Sequence, residues 1–315
     1  MKKISDLRLM MKCCSMYYED NLNQKEIANI LGVSRPTVSR ILKEAVQAGV
    51  VKIEIVNLLK NDFQKIEREL ERKYNLKEVI IADDKLDSLT QKQEIAKCVS
   101  EYLNRIIKDK DIVGVSIGST VSQIPRYLKH GTSKNVTFVP LLGAIGDNDI
   151  EIHANQIASN MAKAYGGNCK LLYTPAVIDD LATKQRLYQD PKIKEVMSLI
   201  EKTKIAIVGI GNPMSLDSTI MESGYMKEED IKSLEKNNSV GVICLQAFDK
   251  NGDTSFLDFN KRVLGIEIDK LTNINRTIGV ACGDEKIEAI KAALEKKFIN
   301  SLAINYSLAL QLLED

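Results

Sequence analysis

The sequence predicts an α/β protein built as a small helical head followed by a larger, mostly parallel α/β body. Three observations carry this. Residues 1–57 show helical periodicity broken by capping signals, with one short alternating stretch at the end. Short apolar runs then alternate with amphipathic helices as far as the C-terminus. Charge is also unevenly shared: residues 1–57 hold nine basic and six acidic side chains, net +3, and the rest is net −2.

The chain has 315 residues, which suits two domains of roughly 100–200 residues each. They are expected at 1–57 and 58–315. Hydrophobic residues at 44% and charged residues at 28% are ordinary for a globular chain with a real core. Lys plus Arg (44) nearly balance Asp plus Glu (43), so the whole chain is not a polycation. A positive head on a slightly acidic body suits a polyanion-binding module carried by something else. No stretch approaches the ~18 apolar residues of a membrane helix. Residues 1–6 lead to Arg8 and Lys12 rather than to an apolar signal core, so a cytoplasmic location is expected.

The six cysteines (Cys13, Cys14, Cys98, Cys169, Cys244 and Cys282) include no C-x-x-C pair, and the histidines are His130 and His153. No zinc-type ligand set can be assembled at motif spacing, so neither metal nor cofactor is expected. The thiols read as reduced and mostly buried, behaving as small apolar side chains. Cys13 and Cys14 would project from different sides of a helix.

In the head, Leu7, Leu9, Met10, Cys13, Cys14 and Tyr17 recur near helical spacing, which predicts a helix over 5–19. Asn23, with Glu26 three residues on, caps a second helix reaching Ile30. Gly32 breaks it. Ser34 starts a third helix with Pro36 in its first turn, running to about Ala48 and stopping at Gly49. Alternation over 50–56 predicts a short strand or wing.

The stripe Leu59, Phe63, Ile66, Leu70 predicts a linker helix over 58–74. Strands are expected at 78–82, 112–117, 136–142, 169–173, 205–210, 240–247, 263–268, 277–281 and 302–304. Helices are expected at 88–107, 121–129, 155–165, 191–202, 227–236, 284–296 and 306–313. This alternation predicts a Rossmann-like sheet covered on both faces.

Residues 24–45 form the most specific motif. Ile27, Ala28, Ile30 and Leu31 would pack the first helix of a helix-turn-helix, Gly32 permits the sharp turn, and Val33, Val38, Ile41 and Leu42 hold the second helix. The outward set is Arg35, Thr37, Ser39, Arg40 and Lys43. Short hydroxyls for close approach, with Arg and Lys for base edges and phosphates, are what a DNA recognition helix requires. Arg35 and Arg40 are the expected groove contacts; Thr37 and Ser39 could equally meet phosphates. The alternative is a hairpin that only mediates packing.

In the body, a strand runs into Gly118-Ser119-Thr120 and then a helix from Val121. Backbone N–H groups and two hydroxyls converging on a helix N-terminus attract phosphate. A second strand ends at Ala281-Cys282-Gly283, where Asp284 can cap the next helix and Lys286 sits in its first turn. A lysine there opposes the helix dipole, and a bound anion would relieve it. Each corner alone could be an ordinary connection. Two such corners on one sheet point to a phosphate site at the carboxyl ends of the strands.

The motif at 30–42 (ILGVSRPTVSRIL) resembles the helix-turn-helix of the SorC/DeoR-type sugar-responsive bacterial regulators. The likeness continues through DIVGVSIGSTV (111–121), FVPLLGA (138–144), NQIASNMA (155–162), YTPA (173–176), VGIG (208–211), NKRVLGIEI (260–268) and GVACGDEKIEAIKAAL (279–294). Their order along the chain is the specific signal. The resemblance implies a body similar to sugar-phosphate isomerase and deaminase folds that binds a phosphorylated sugar with the two corners. It implies Gly118, Ser119, Thr120, Gly283 and Lys286 as ligand contacts. Further candidates are Gly143 and Ala144 after the VPLL strand, Asn155 and Gln156 for sugar hydroxyls, and Arg262, although Asn155 could simply cap its helix. The sequence departs from the family at Val242 and Gln246, where an acid and an arginine are usual. Leu142 stands where some members carry an imine-forming lysine, so Schiff-base capture there is excluded.

The implied function is an effector-controlled transcription regulator, usually a repressor, of a carbohydrate or nucleoside catabolic operon. One head reads too few base pairs for genomic specificity, so a homo-oligomer (dimer or tetramer) on operator DNA is expected. It is not expected to be an enzyme. The competing reading is an isomerase or deaminase carrying a DNA-binding head, with Asp147, Asp149 and His153 as its clustered acid–base set.

Overall fold

A computed structural model describes residues 4–53, 62–133, 135–145, 150–215 and 218–314. Two compact units, Met1–Asn61 and Asp62–Asp315, divide the chain. The expected boundary at 57/58, wing residues 54–56 and the start of the expected linker helix lie outside the described residues.

The head is a three-helix unit: α1 (Ile4–Tyr18), α2 (Gln24–Leu31) and α3 (Arg35–Gln47). The Asn23 side chain accepts from the N–H groups of Lys25 and Glu26, while Glu26 accepts from the Asn23 N–H at 2.7 Å, a reciprocal capping box. Gly32 ends α2 at φ 66°, a conformation a Cβ disfavours. Ser34 caps α3, whose first turn holds Pro36. Met10, Cys13, Cys14, Ile27, Ala28, Val38, Leu42 and Ala45 form one apolar cluster. Adjacent Cys13 and Cys14 therefore share that cluster instead of dividing between two faces. Ile30, expected inside, is 57% exposed. The inward stripe of α2 runs through Ile27, Ala28 and Leu31, and Ile30 lies about 100° off it. Residues 50–53 form no strand.

The body begins with α4 (Phe63–Tyr74), β1 (Glu78–Ala82), α5 (Ser88–Ile106), β2 (Ile112–Val115), β3 (Thr137–Pro140), α6 (Ala154–Tyr165) and β4 (Asn168–Cys169). Then come α7 (Leu181–Leu187), α8 (Pro191–Glu201), β5 (Ile205–Gly209), α9 (Thr219–Glu222), α10 (Glu228–Lys236), β6 (Ser239–Ile243) and β7 (Gln246–Asp249). The chain closes with α11 (Asp258–Arg262), β8 (Arg276–Val280), α12 (Ile287–Glu295), β9 (Ser301–Asn305) and α13 (Tyr306–Glu314).

Seven strands pair in parallel in the order β1-β9-β8-β5-β2-β3-β4. Successive side chains of a strand point to opposite faces, so each strand feeds two cores. In β5, Ile205 and Ile207 join the core under α5 and α6, and Ala206 and Val208 join the one under α4, α8 and α12. The winding direction reverses between β2 and β5. From β2 the chain builds outward through β3 and β4, then crosses back to build β5, β8 and β9 on the other side.

Several expected elements differ. The strand over 240–247 is a hairpin, β6 paired antiparallel with β7, turning at Cys244 (φ 50°) and Leu245 (φ 60°). A type I′ turn needs positive φ at both positions and usually announces itself with Asn-Gly. Residues 263–268 hold only isolated bridges, at Val263 and Gly265. The helix expected over 121–129 is a 3-10 helix, Val121–Arg126, with Pro125 inside. That over 284–296 is a 3-10 turn, Asp284–Lys286, running into α12, and Asp284 makes no capping bond.

Two polar devices hold the body's edges. Along β1, the carboxylates of Glu67 and Glu71 on α4 accept the N–H groups of Ile81 and Val79, each at 3.0 Å. These donors point away from β9 and would otherwise be an open strand edge. Arg262, expected in the ligand pocket, instead donates to Asp179 at 2.6 Å and to Asp230. Its guanidinium also stacks on Phe259. Both of its donor arms are spent inside the fold.

Burial raises the Glu67 carboxyl above its ordinary value, the Ile81 N–H opposes this, and Glu71 and Glu78 add repulsion. The folded state therefore holds this proton more tightly than the unfolded chain does, and stability falls as pH rises through the window above 4.5. Glu67→Gln, which keeps an acceptor without the charge, is expected to flatten the Tm–pH profile in that window. Glu67→Leu leaves a buried N–H unpartnered and is expected to cost about 1–3 kcal/mol in urea unfolding. Arg262→Ala strands the buried Asp230 carboxylate and is expected to cost about 3–5 kcal/mol by the same measurement.

Candidate functional site

On α3 the buried side chains are Val38, Leu42 and Ala45. The remaining circumference carries Arg35, Ser39, Arg40 and Lys43, which fall within about 140° of one another at 3.6 residues per turn. Arg35, Arg40 and Lys43 are exposed and Ser39 is half-buried. Among the described residues Arg40 has an ion pair with Glu44 at 3.9 Å, a contact too long and too wet to hold it. Thr37 lies off this face. Its N–H and hydroxyl both meet the Ser34 hydroxyl, the latter at 2.8 Å, so it completes the helix cap.

In the body, the reversal between β2 and β5 leaves a crevice at the carboxyl ends of the strands. Ser116, fully buried beyond β2, pins its two sides together: its N–H donates to Ile207 O, and its hydroxyl accepts the Gly209 N–H at 3.0 Å. Gly118 sits at φ 152° against the Gly209 backbone, where a side chain would be strained. The crevice opens into a cleft of about 650 Å³, counted to its mouth. Gly118, Ser119 and Thr120 line one wall. Among the described residues, no acceptor takes the N–H of Ser119, Thr120 or Val121. Facing them in the same cleft is Lys286, whose side chain is 13% exposed and whose ammonium lies 3.7 Å from Glu285.

The two corners thus share one cavity, although neither heads the long helix the sequence led us to expect. The six-residue 3-10 helix after Thr120 contributes little dipole, and the local N–H groups supply the polarity instead. Asn212, which also lines the cleft, ties the second corner to the segment after β5: its Nδ2 donates to Glu285 O at 3.0 Å. Gly283, at φ 103°, lines a neighbouring cleft that also reaches Lys286.

Three other expected contacts have structural work. Gly143 donates to Leu264 O at 3.0 Å, and a Cβ there would meet the Pro175 carbonyl oxygen at 2.5 Å. Asn155 clamps the Leu172 backbone, donating to its O at 3.0 Å and accepting its N–H at 2.9 Å. Gln156 is turned along its own helix toward Asn160. The departure at Gln246 is likewise internal, its amide bridging Ile266 O and the Ile268 N–H.

Sequence reasoning marked Val242 as a departure at the pocket and missed the rest of the wall. Val242, Cys244 and Leu245 reach the cleft because Val242 and Gly211 exchange two backbone hydrogen bonds, hanging the β6–β7 hairpin on the end of β5. Ser215 and Ser218 line it from the loop beyond Asn212, and the buried Ser218 hydroxyl has no partner among the described residues. Only the hairpin could have been signalled locally, and Cys-Leu is a poor turn signal. Burial raises the Cys244 thiol to about 12, so it offers no thiolate here.

Of the alternative catalytic set, Asp147 and Asp149 lie outside the described residues, and His153 precedes α6 without lining the cleft. No group of three metal-binding side chains occurs among the described residues. No described helix is long and apolar enough to cross a membrane.

Comparison with known proteins agrees with this layout. The Sugar-bind model, a family of sugar-binding domains, matches residues 60–314, and the Sigma-70 region 4 model matches residues 10–48. The deoxyribonucleoside regulator of Bacillus subtilis (strain 168) is 30% identical over 309 residues, covering 98% of this chain and 98% of that protein. The sorbitol operon regulator of Klebsiella pneumoniae is 30% identical over 319 residues, with 100% of both chains covered. The crystal structure of the full-length sorbitol operon regulator SorC from Klebsiella pneumoniae matches with a TM-score of 0.76, at 30% identity over 98% of this chain and 99% of that one. A three-helix reading head and a sugar-binding α/β body, in this order and over this length, are the family's construction: the chain belongs to the SorC/DeoR-type sugar-binding transcriptional regulators.

Proposed function

We propose that the chain regulates transcription of a carbohydrate or nucleoside catabolic operon, as a repressor released or engaged by a phosphorylated sugar. The observation that carries the effector half is the cleft at the strand reversal, where the N–H groups of residues 119–121 meet no acceptor among the described residues and Lys286 lines the same cavity. Directional donors and one cation around a crevice suit a tetrahedral dianion. The DNA half rests on the exposed Arg35, Arg40 and Lys43, with Ser39 beside them. Ligand contacts are assigned to Gly118, Ser119, Thr120 and Lys286, with Gly283 beside them; Gly143, Asn155, Gln156 and Arg262 are withdrawn for the structural reasons above.

A homo-oligomer, each head reading one half-site, follows from the small footprint of a single recognition helix, and a cytoplasmic location goes with regulating operon DNA. Control by effector then requires different ligand affinity in the DNA-competent and incompetent states. The enzyme reading needs an acid or base at the sugar carbon, and the described residues lining the cleft include neither carboxylate nor histidine.

With the full-length protein, phosphorylated sugars are expected to raise Tm, since a ligand present at 100 times its Kd stabilises by about 2.7 kcal/mol. Lys286→Ala or Thr120→Val is expected to abolish the shift; unchanged shifts in both place the phosphate elsewhere. For DNA, anisotropy titrations at rising salt are expected to show log K falling linearly with log[salt]. Arg35→Ala or Arg40→Ala costs about 1–3 kcal/mol if the side chain reads a base. Salt-insensitive binding, unaffected by either change, refutes the DNA reading.

A further inference from the structure

A second cleft adjoins the first across Lys286, which lines both. It lies at the carboxyl ends of the other half of the sheet. Asp84 follows β1, Asn305 ends β9, and Cys282 and Gly283 follow β8, while Ser88 opens α5. The phosphate reading uses only Gly283 and Lys286 of this cleft and leaves Asp84 and Asn305 without a role.

Its chemistry is set by Asn305, which is 8% exposed. The Asn305 amide donates from Nδ2 to Asp84 at 2.7 Å. Asp84 also accepts from the N–H and hydroxyl of Ser307, at 3.2 and 2.6 Å. Burial would raise the Asp84 carboxyl, but the bonds from Ser307 and Asn305 hold it below its ordinary value, so it stays ionised. The amide therefore cannot be flipped, because that would set Oδ1 against a carboxylate. Oδ1 is left buried with no donor among the described residues. Such an acceptor costs free energy until something donates to it. The charged side chains at this rim are mixed, the acceptors Asp87, Asp284 and Glu285 beside the donors Lys85 and Lys92, so the unmet acceptor of Asn305 is what distinguishes the cleft.

We propose that this cleft is a second subsite of the effector pocket, which reads a hydrogen-bond donor, a hydroxyl or amine, on a ligand whose phosphate lies beyond Lys286. The proposal rests on the phosphate reading of the first cleft. Asn305 and Asp84 supply the acceptors, and Lys286 is the shared wall. The subsite also has a mechanical consequence. The residue after Asn305 begins α13, which packs on α4 through Lys73 and Tyr74 bonding to Leu312 O and through Phe63 against Tyr306. Helix α4 is the first described element after the head, so the donor-reading end of the ligand abuts the element through which the chain leaves the body.

The test is calorimetric titration of the full-length protein with inorganic phosphate and with ribose 5-phosphate, 2-deoxyribose 5-phosphate, glucose 6-phosphate, fructose 6-phosphate and glucosamine 6-phosphate. At least one sugar phosphate is expected to bind about tenfold or more tighter than inorganic phosphate, the equivalent of one or two donor–acceptor bonds. Asn305→Ala is expected to remove that preference and leave phosphate affinity within about twofold. Ser88→Tyr fills the cleft from an exposed position without disturbing Asn305, and the same result is expected of it. Lys286→Ala is expected to weaken phosphate and sugar phosphate together. If no probe exceeds inorganic phosphate, or if the preference survives Ser88→Tyr, the subsite is overturned while the phosphate reading stands. If Asn305→Ala weakens phosphate as much as sugar, its role is only structural and the subsite again falls. If the wild-type protein binds neither phosphate nor any sugar phosphate, the phosphate reading itself fails.

Discussion

The body depends on the reversal of winding between β2 and β5. Two parallel strands whose crossovers leave in opposite directions cannot both be covered at their carboxyl ends, so an opening is unavoidable there. Here the opening is kept narrow by the buried Ser116 hydroxyl, which holds the Gly209 N–H, and by the close approach of Gly118 to Gly209. Among the described residues the N–H groups of residues 119–121 reach no acceptor, and they share the opening with Lys286. The polarity of the site is thus a by-product of topology, and no long helix dipole is needed to explain it.

The same economy appears in how polar groups close off the rest of the body. The free edge of β1 is sealed by Glu67 and Glu71, which lets α4 dock by hydrogen bonds as well as through Ile66 and Leu70. Arg262 occupies a position where a pocket arginine was plausible, yet its two carboxylate partners tie the loop at Asp179 to α10 at Asp230. A buried ion pair of this kind adds little net stability but is costly to break, which favours a specific arrangement over a merely compact one.

The head follows a different logic, since its fold is local. Its helices are short, and their ends are fixed by groups within three residues of each terminus: the Asn23–Glu26 box, Gly32, and Ser34 with Pro36. A core with eight buried side chains among the described residues is small for stability, so caps worth about 1 kcal/mol each matter more here than in the body. The exposed basic face of α3 is what remains after that core is satisfied.

This difference explains what could be read without coordinates. The caps of the head, the alternation of strands and helices, and the two glycine corners are local patterns. Their causes, side-chain capping, periodicity and backbone freedom, operate within a few residues, so the amino-acid order determined them. It also determined that Arg35, Arg40 and Lys43 would face outward, because Val38, Leu42 and Ala45 had to face inward. The tertiary structure decided everything that depends on close approach between distant segments. Gly143 and Asn155 looked like ligand residues and are packing and clamping groups, because the segments at 172–175 and 264 come against them. Thr37 looked like a DNA contact and turned to the cap, through a hydroxyl pair that periodicity alone does not rank. Val242, Cys244 and Leu245 entered the cleft only because a hairpin with an unconventional turn hangs on Gly211. Hydrogen-bond partners are allotted after the chain has folded, and a polar side chain is free for a ligand only when no nearer backbone group has claimed it.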